Sequence, residues 1–474
     1  MEQAAPSDLP SRSAPNYRLT AVIVATALVM EQIDATVLTT ALPTIAHDFA
    51  TPVIGLSVLI TAYLLALAVF VPVSGRLADR FGARAVLRAA VGLFLAASVM
   101  CAFAPSIAFF TAARFLQGMG GAIMIPVCRL ALLRVARKDE FVTAMAWLIT
   151  PALIGPILGP PLGGLIVTHL NWRWIFYLNL PVGAAGMVLI SLFIDNSRHP
   201  VKHRLDGLGF LLSAVALGCL LFGFEDASHK GEELRAALLI AAGIAAGAVY
   251  LQHARRTEHP VLDFTLLRDR SFRLSLLAGS CTRITQGGQA FLLPLLFQVG
   301  LGMTAAASGG MILFIAIGAL AAKFVVMRLF RRLGFRTSMI VNGLAVSLFY
   351  GLCGLFRHGW PDPAMIAVLA LSGFFMSLQF SAYNTIAYEH IDHDRLSTAT
   401  SFYTTFQQML LSTGVCTGAL SLRLSMAVDG HPAPAPADFT AAFAVAAGVT
   451  ALATFVHFRF PRDAGAVLSG RARA

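Results

Sequence analysis

From residue 19 to residue 458 the chain repeatedly runs through about twenty apolar residues, broken by short polar loops. A hydrocarbon core about 30 Å thick demands helices of that length. About fourteen such runs can be drawn, near 19–41, 54–74, 85–104, 107–130, 141–168, 174–194, 208–224, 235–252, 273–297, 304–327, 337–356, 363–388, 398–422 and 438–458. Hydrophobic residues make up 57% of the 474 and charged ones only 12%, far from the balance of a soluble domain. The expected fold class is all-α and integral to the membrane.

The net charge of +11 would point to nucleic acid in a soluble protein. Here the basic residues crowd into loops between apolar runs, where they set orientation instead. With the N-terminus inside, 28 of the 35 lysines and arginines fall on the cytoplasmic side and five outside, leaving Arg114 and Arg283 within the membrane. That imbalance predicts an even span number with both termini cytoplasmic. Residues 1–17 lack the basic start, short apolar core and small-residue cleavage site of a signal peptide and read as a disordered tail, so the first span is retained. All six cysteines lie inside apolar runs without metal-ligand spacing and read as packing residues. Most of the twelve histidines, among them His199, His203, His253, His259, His390 and His393, read as solvated loop residues.

The loop after the second run reads Gly75-Arg76-Leu77-Ala78-Asp79-Arg80-Phe81-Gly82-Ala83-Arg84. About 250 residues later Arg328-Leu329-Phe330-Arg331-Arg332-Leu333-Gly334-Phe335-Arg336 repeats its Arg-Leu-x-x-Arg-x-Gly-x-Arg pattern. Internal repeats with sites near the midplane are a transporter architecture. The first copy resembles the loop signature of the major facilitator superfamily. Four further segments are similar to motifs of its fourteen-span drug:proton antiporters of the EmrB/QacA type. These are Ile33 to Val37 with Ala41 to Ile45, Arg114 to Gly121, Gly155 to Gly164, and Trp172 to Phe176 with Asn179 to Gly183. In the second half, Leu293-Pro294-Leu295 with Gln298 and Gly302, and the polar run Thr404 to Thr413, follow the group only loosely. Arg331 also stands where the first copy has Asp79. The resemblance implies six-helix halves at 18–200 and 255–460, two inserted helices at 201–254, and cytoplasmic tails at 1–17 and 461–474.

Glu31 and Asp34 share one face of the first span, and Asp34 lies at the same depth as Arg114 in the fourth. Each is expensive alone in lipid, so Asp34 and Arg114 are expected to pair. One reading is a permanent pair fixing two helices. The other is a proton carrier, since burial favours the neutral acid and Arg114 the carboxylate. The resemblance implies that second role for Asp34 and Arg114. Glu31 reads as a second protonation site, a counter-charge for a cationic substrate, or a group facing a wet cavity.

Gly155, Gly159 and Gly163, with Gly164, make a smooth stripe among Pro151, Pro156, Pro160 and Pro161, suited to close packing or to a gating bend. In the loop signature Gly75 would let helices touch, Asp79 would meet a helix N-terminus or Arg80, and Arg76, Arg80 and Arg84 would hold the inner side, with Gly82 in the same gating set. Arg283, Gln286, Gln289, Gln379 and Gln407, with Gln117 in the first half, would line a cavity or act as polar glue between helices.

The preferred reading is a proton-driven exporter of amphipathic small molecules in the cytoplasmic membrane, without cofactor or metal. It would act as a monomer, with or without an accessory export protein. An uptake symporter or uniporter for a small metabolite shares the fold. An enzyme is disfavoured, because the chain has no phosphate-cradling loop, metal cluster, nucleophile elbow or soluble domain.

Overall fold

A computed structural model describes residues 17–136, 140–196, 206–229, 231–392, 395–461 and 464–465. Most of both expected tails, and with them Arg12, Arg137, Lys138, Arg198, Lys202, Arg204, Lys230, Arg462, Arg471 and Arg473, lie outside the described residues, as do His199, His203 and His393. The described chain is helical, without strands, as hydrocarbon requires when every backbone group must find its partner within the segment. The helices are α1 (Tyr17–Val37), α2 (Leu42–Asp48), α3 (Ser57–Phe81), α4 (Ala83–Ala102), α5 (Ile107–Leu133), α6 (Phe141–Ala152), α7 (Ile154–His169), α8 (Trp174–Tyr177) and α9 (Asn179–Phe193). They continue with α10 (Gly207–Asp226), α11 (Glu233–Arg256), α12 (Arg270–Leu295), α13 (Ala305–Leu333), α14 (Phe335–Cys353), α15 (Asp362–Ile386), α16 (Leu396–Asp429) and α17 (Pro436–His457).

Among the described residues, twelve helical segments are long and apolar enough to cross a membrane. The two other long helices are more polar. α12, of 26 residues, carries Arg270, Arg273 and Arg283, and α14, of 19, carries Arg336 and Asn342. The run expected at 141–168 is broken at Leu153, between α6 and α7. Pro156 dictates the place: it has no N–H for the carbonyl of Ala152, and in the first turn of α7 that missing donor has no intrahelical partner to lose. α7 then continues through Pro160 and Pro161, so the expected bend sits below the glycine stripe rather than within it. Two expected loops are also shorter than the sequence suggests. α11 runs on to Arg256, with His253 half-buried on it against Asp206 at 2.7 Å rather than solvated, and α16 continues to Asp429, where Gly430 at φ +68° ends it.

The packing repeats as well as the loop. α1 touches α5, α7 and α9, and α12 touches α15, α16 and α17; α3 and α4 pack on α5 as α13 and α14 do on α15. The correspondence that carries α1 into α12, α3 into α13 and α7 into α16 also exchanges α7–α13 with α3–α16, the two main contacts between the sets. An approximate two-fold axis therefore relates them. α10 and α11 form a hairpin outside this scheme. α10 leans on α3 and α16, while Leu234, Leu238, Ile244 and Val249 of α11 are exposed, as lipid-facing residues would be.

Small residues fix the crossings. A Cβ added at Gly318 of α13 would meet the Ala370 carbonyl, and one at Gly373 of α15 would meet that of Ile315. The same reciprocity joins Gly287 and Gly414 between α12 and α16, and Gly164 and Gly309 between α7 and α13. Without a hydrophobic drive between helices in lipid, such close approach supplies the packing. Gly318→Ala should therefore destabilise the protein by about 1–3 kcal/mol through overpacking. Gly310→Ala on the same helix, where an added Cβ meets nothing within 4 Å, should be neutral. Thermal unfolding of the purified variants in detergent checks the contrast, and equal midpoints would refute it.

Candidate functional site

Asp34, near the end of α1, is 1% exposed, as is Arg114 on α5. Arg114 Nη1 donates to Asp34 Oδ2 at 2.7 Å. The other carboxylate oxygen accepts from Gln117 Nε2 and Asn179 Nδ2, both at 2.8 Å. Gln117 Oε1 accepts in turn from Arg114 Nη1 at 2.6 Å, and both amides also reach Ser98 Oγ. Arg114 Nε points to the Leu59 carbonyl at 3.5 Å, and the guanidinium lies 4.3 Å from the Tyr63 ring centroid. Five helices, α1, α3, α4, α5 and α9, thus surround one charge pair. Its satisfied hydrogen bonds meet the condition on which a buried pair is tolerated.

Glu31, also 1% exposed, lies on the other side of Tyr63. Tyr63 Oη donates to Glu31 Oε1 at 3.0 Å and Gln32 Nε2 to Oε2 at 2.6 Å. One aromatic ring therefore separates the two acids' surroundings, with its hydroxyl on Glu31 and its face on Arg114. Among the described residues no cation pairs with Glu31.

The stripe on α7 faces α1. Added Cβ atoms at Gly155, Gly159 and Gly163 would meet Gln32, Thr36 and Thr40 respectively, so the stripe lies along the helix that carries Asp34. Gly164 faces Ala305 of α13 instead, and the Pro160 carbonyl abuts Gly309. Gln298 Nε2 donates to the Thr40 carbonyl at 3.0 Å and Thr168 Oγ1 accepts from Ala306 N at 3.0 Å. Both ties join the two sets of helices at the end of the bundle opposite the chain termini. Pro156 lies on the other side of α7 and lines a cavity.

In the loop signature the partner of Asp79 is neither a helix N-terminus nor Arg80 but Arg134, at the end of α5, 2.7 Å away. Arg80 instead covers the neighbouring Phe81 ring, where its charge keeps access to water. Gly75 brings no helices together; a Cβ there would meet nothing within 4 Å. Gly82 is needed for its backbone, which turns from α3 to α4 at φ +92°, and Gly334 repeats the turn at +77°. Arg84 reaches the Ser191 carbonyl (3.4 Å) and its counterpart Arg336 that of Phe458 (3.0 Å), so both loops tie to the last helix of their set.

A cavity of about 280 Å³ lies between α7, α12, α13 and α15. Arg283, Gln286 and Gln289 line it, and Gln407 contacts Arg283 at 2.9 Å. Gln407 itself is not on the wall, and two more of the expected lining residues are elsewhere. Gln117 is fully buried in the Asp34 network because both ends of its amide are engaged there. Gln379 is buried against Tyr383 and His457, its Nε2 lying 2.7 Å from Tyr383 Oη and 3.0 Å from His457 Nε2.

Sequence reading missed Ser98, Asn179, Tyr63, Lys323, Glu225 and His457. Asn179 sits within a motif quoted for its place in the chain, and as an amide opening an apolar run it was a signal. Glu225, 1% exposed at the end of α10, accepts from Ser57, from Thr61 at 3.1 Å and from Cys416 at 3.2 Å. It joins α3 to α16, and no sequence spacing announces that three-helix meeting.

Residues 24–415 match the family model described as Major Facilitator Superfamily. The chain is 34% identical over 416 residues to "Probable transport protein HsrA" of Haemophilus influenzae, covering 86% of this chain and 88% of that one. It is 34% identical over 451 residues to "Putative multidrug resistance protein MdtD" of Klebsiella pneumoniae, covering 94% of each. A crystal structure of an auto-inhibited POT family peptide transporter superposes over 94% of this chain and 97% of that one, with a TM-score of 0.65 at 16% identity.

Breaking a buried pair by removing one partner costs about 3–5 kcal/mol, whereas removing both costs much less. Arg114→Leu should therefore lower the unfolding midpoint in detergent more than Arg114→Leu combined with Asp34→Asn. Additive losses would show that the two charges do not depend on each other.

Proposed function

This chain belongs to the major facilitator superfamily, and on that premise we propose that it is a proton-coupled exporter of amphipathic small molecules, of the fourteen-span drug:proton antiporter type. It is a multi-pass membrane protein and not an enzyme. In this reading α12 and α14 also span, giving two six-helix halves at 18–200 and 255–460 with α10 and α11 as the inserted pair. The peripheral position of that hairpin supports the division. Both termini are cytoplasmic, the protein works as a monomer in the cytoplasmic membrane, and the proton gradient replaces any cofactor.

The observation that carries the reading is the Asp34 network. The carboxylate accepts from Arg114, Gln117 and Asn179, so α1 is tied to α5 and α9 by one negative charge. A proton on Asp34 removes that charge. Arg114 then keeps Gln117 Oε1 and the Leu59 carbonyl as acceptors, and α1 loses its strongest tie. α1 can then shift along the glycine face of α7, whose other side meets α13, so protonation reaches the contact between the halves. Alternating access by rocking of the halves gives the acid the outer compartment in one state and the inner in the other. Glu31, across Tyr63, acts as a second proton carrier in this reading. Asp79, Arg80, Gly82 and Arg84 act at the inner gate, and Gly155, Pro156, Gly159, Pro160, Gly163 and Gly164 at the outer one. The names of the HsrA and MdtD relatives, a transport protein and a multidrug resistance protein, agree with small-molecule export.

Inverted vesicles with an acidified lumen test the coupling. A lipophilic cationic dye, an aromatic carboxylate and a neutral antibiotic are added in turn, and lumenal pH is followed. At least one compound should trigger proton release from wild-type vesicles, and Asp34→Asn should abolish it. Equal release from the variant would remove Asp34 from the coupling step, and no release with any compound would remove proton antiport.

A further inference from the structure

The ionisable groups of the bundle are spread unevenly, with acids and cations apart from one another outside the Asp34 pair. Asp34 and Arg114 cancel each other. Glu31 is closed in by Tyr63 and Gln32, and Glu225 is held at the far end of α10 by Ser57, Thr61 and Cys416. Two cations remain, the half-buried Arg283 on α12 and the exposed Lys323 on α13, which the charge count above placed on the cytoplasmic side, and both line the cavity described above. No acid stands among the described residues of its wall.

Neutral groups hold both cations. Arg283 Nη1 donates to Gln286 Oε1 at 2.7 Å and Nη2 to Gln407 Oε1 at 2.9 Å, while the guanidinium lies 4.0 Å from the Phe380 ring centroid. Its Nε is buried without a hydrogen-bond partner. Lys323 Nζ donates to Ser381 Oγ at 3.1 Å, and an ammonium has three donors to give. Amides and a hydroxyl orient a cation but leave its charge in place. Uncompensated charge at membrane depth, as on Arg283, is costly and is kept where a pathway or ligand uses it. A cationic ligand would enter a chamber that already holds two positive charges.

We propose, resting on the transport reading above, that this cavity receives an amphipathic organic anion. Arg283 and Lys323 hold the acidic head, and Phe380 and the aliphatic wall around Ile315 and Leu320 take the apolar body. Guanidinium geometry suits a carboxylate or similar planar head, with Lys323 adding a point charge. Gln286, Gln289 and Ser377 offer further donors. The charge of the cargo thus follows from the second set of helices and not from the acids of the first.

Equilibrium binding to the purified protein in detergent tests this, using naphthoate, naphthamide and naphthylmethylammonium, one ring system in negative, neutral and positive forms. Naphthoate should bind tightest and the ammonium weakest. Arg283→Gln should weaken naphthoate binding by about tenfold or more and leave naphthamide nearly unchanged, with Arg283→Lys restoring part of the loss. Lys323→Gln, on an exposed stretch of the wall, should weaken naphthoate severalfold, independently of any effect of Arg283 on folding. Ammonium binding as tight as that of naphthoate, no naphthoate binding at all, or unchanged affinity in a folded Arg283→Gln protein would overturn the proposal. No proton gradient is present in this measurement. A failed antiport reading therefore leaves the binding order intact, and a reversed order leaves the Asp34 flux result intact.

Discussion

A carboxylate and a guanidinium 2.7 Å apart, both out of reach of water, set the terms for the first half of this bundle. Desolvating each ion costs several kcal/mol after relaxation, so the pair is tolerable only with good geometry and further hydrogen bonds. Gln117 and Asn179 supply those bonds from two helices, and Ser98 on a third accepts from both amides. The neighbouring features serve the same end: Tyr63 covers the guanidinium, and the glycine stripe of α7 brings a helix close against the one that bears Asp34. A group held this way changes the packing of several helices when its charge changes, a property that a proton carrier needs and a surface ion pair lacks.

The two membrane arginines show how differently one side chain is used. Arg114 has an anion, an amide, a backbone carbonyl and an aromatic face around it. Arg283 has two amides and an aromatic face but no anion, and it borders open space. The first arrangement closes a structure, and the second leaves a charge available. The approximate two-fold that relates the helices does not extend to their chemistry, and that asymmetry separates the coupling group from the cavity.

The fold was largely legible, because hydrocarbon leaves a chain few choices: apolar runs of sufficient length become helices, and the repeated loop announced a repeated bundle whose packing contacts recur. Helix ends were less so. The break at Leu153 depends on which proline falls in a first turn, and the end of α11 on Tyr250 binding the backbone of Leu262, a contact twelve residues away. At the site, the pairing of Asp34 with Arg114 could be read from equal depth. Asn179 signalled a polar group but not its partner, and Ser98 signalled neither, since an isolated amide or hydroxyl in an apolar run has many local ways to be satisfied.

By itself the sequence determined that this chain crosses the membrane many times, that its halves repeat, and that an acid and an arginine lie at one depth in the first. It could not assign the amides, because glutamines on one helical face look alike until neighbouring helices are in place. Only the tertiary structure put Gln117 beside Asp34, closed Gln379 against His457, and left Arg283 and Lys323 on a cavity wall without an acid. The reason is physical: depth follows from position along a helix, whereas partnership follows from the rotation and crossing of helices far apart in the chain, set here by close contacts such as Gly287 on Leu411 and Gly318 on Ala370.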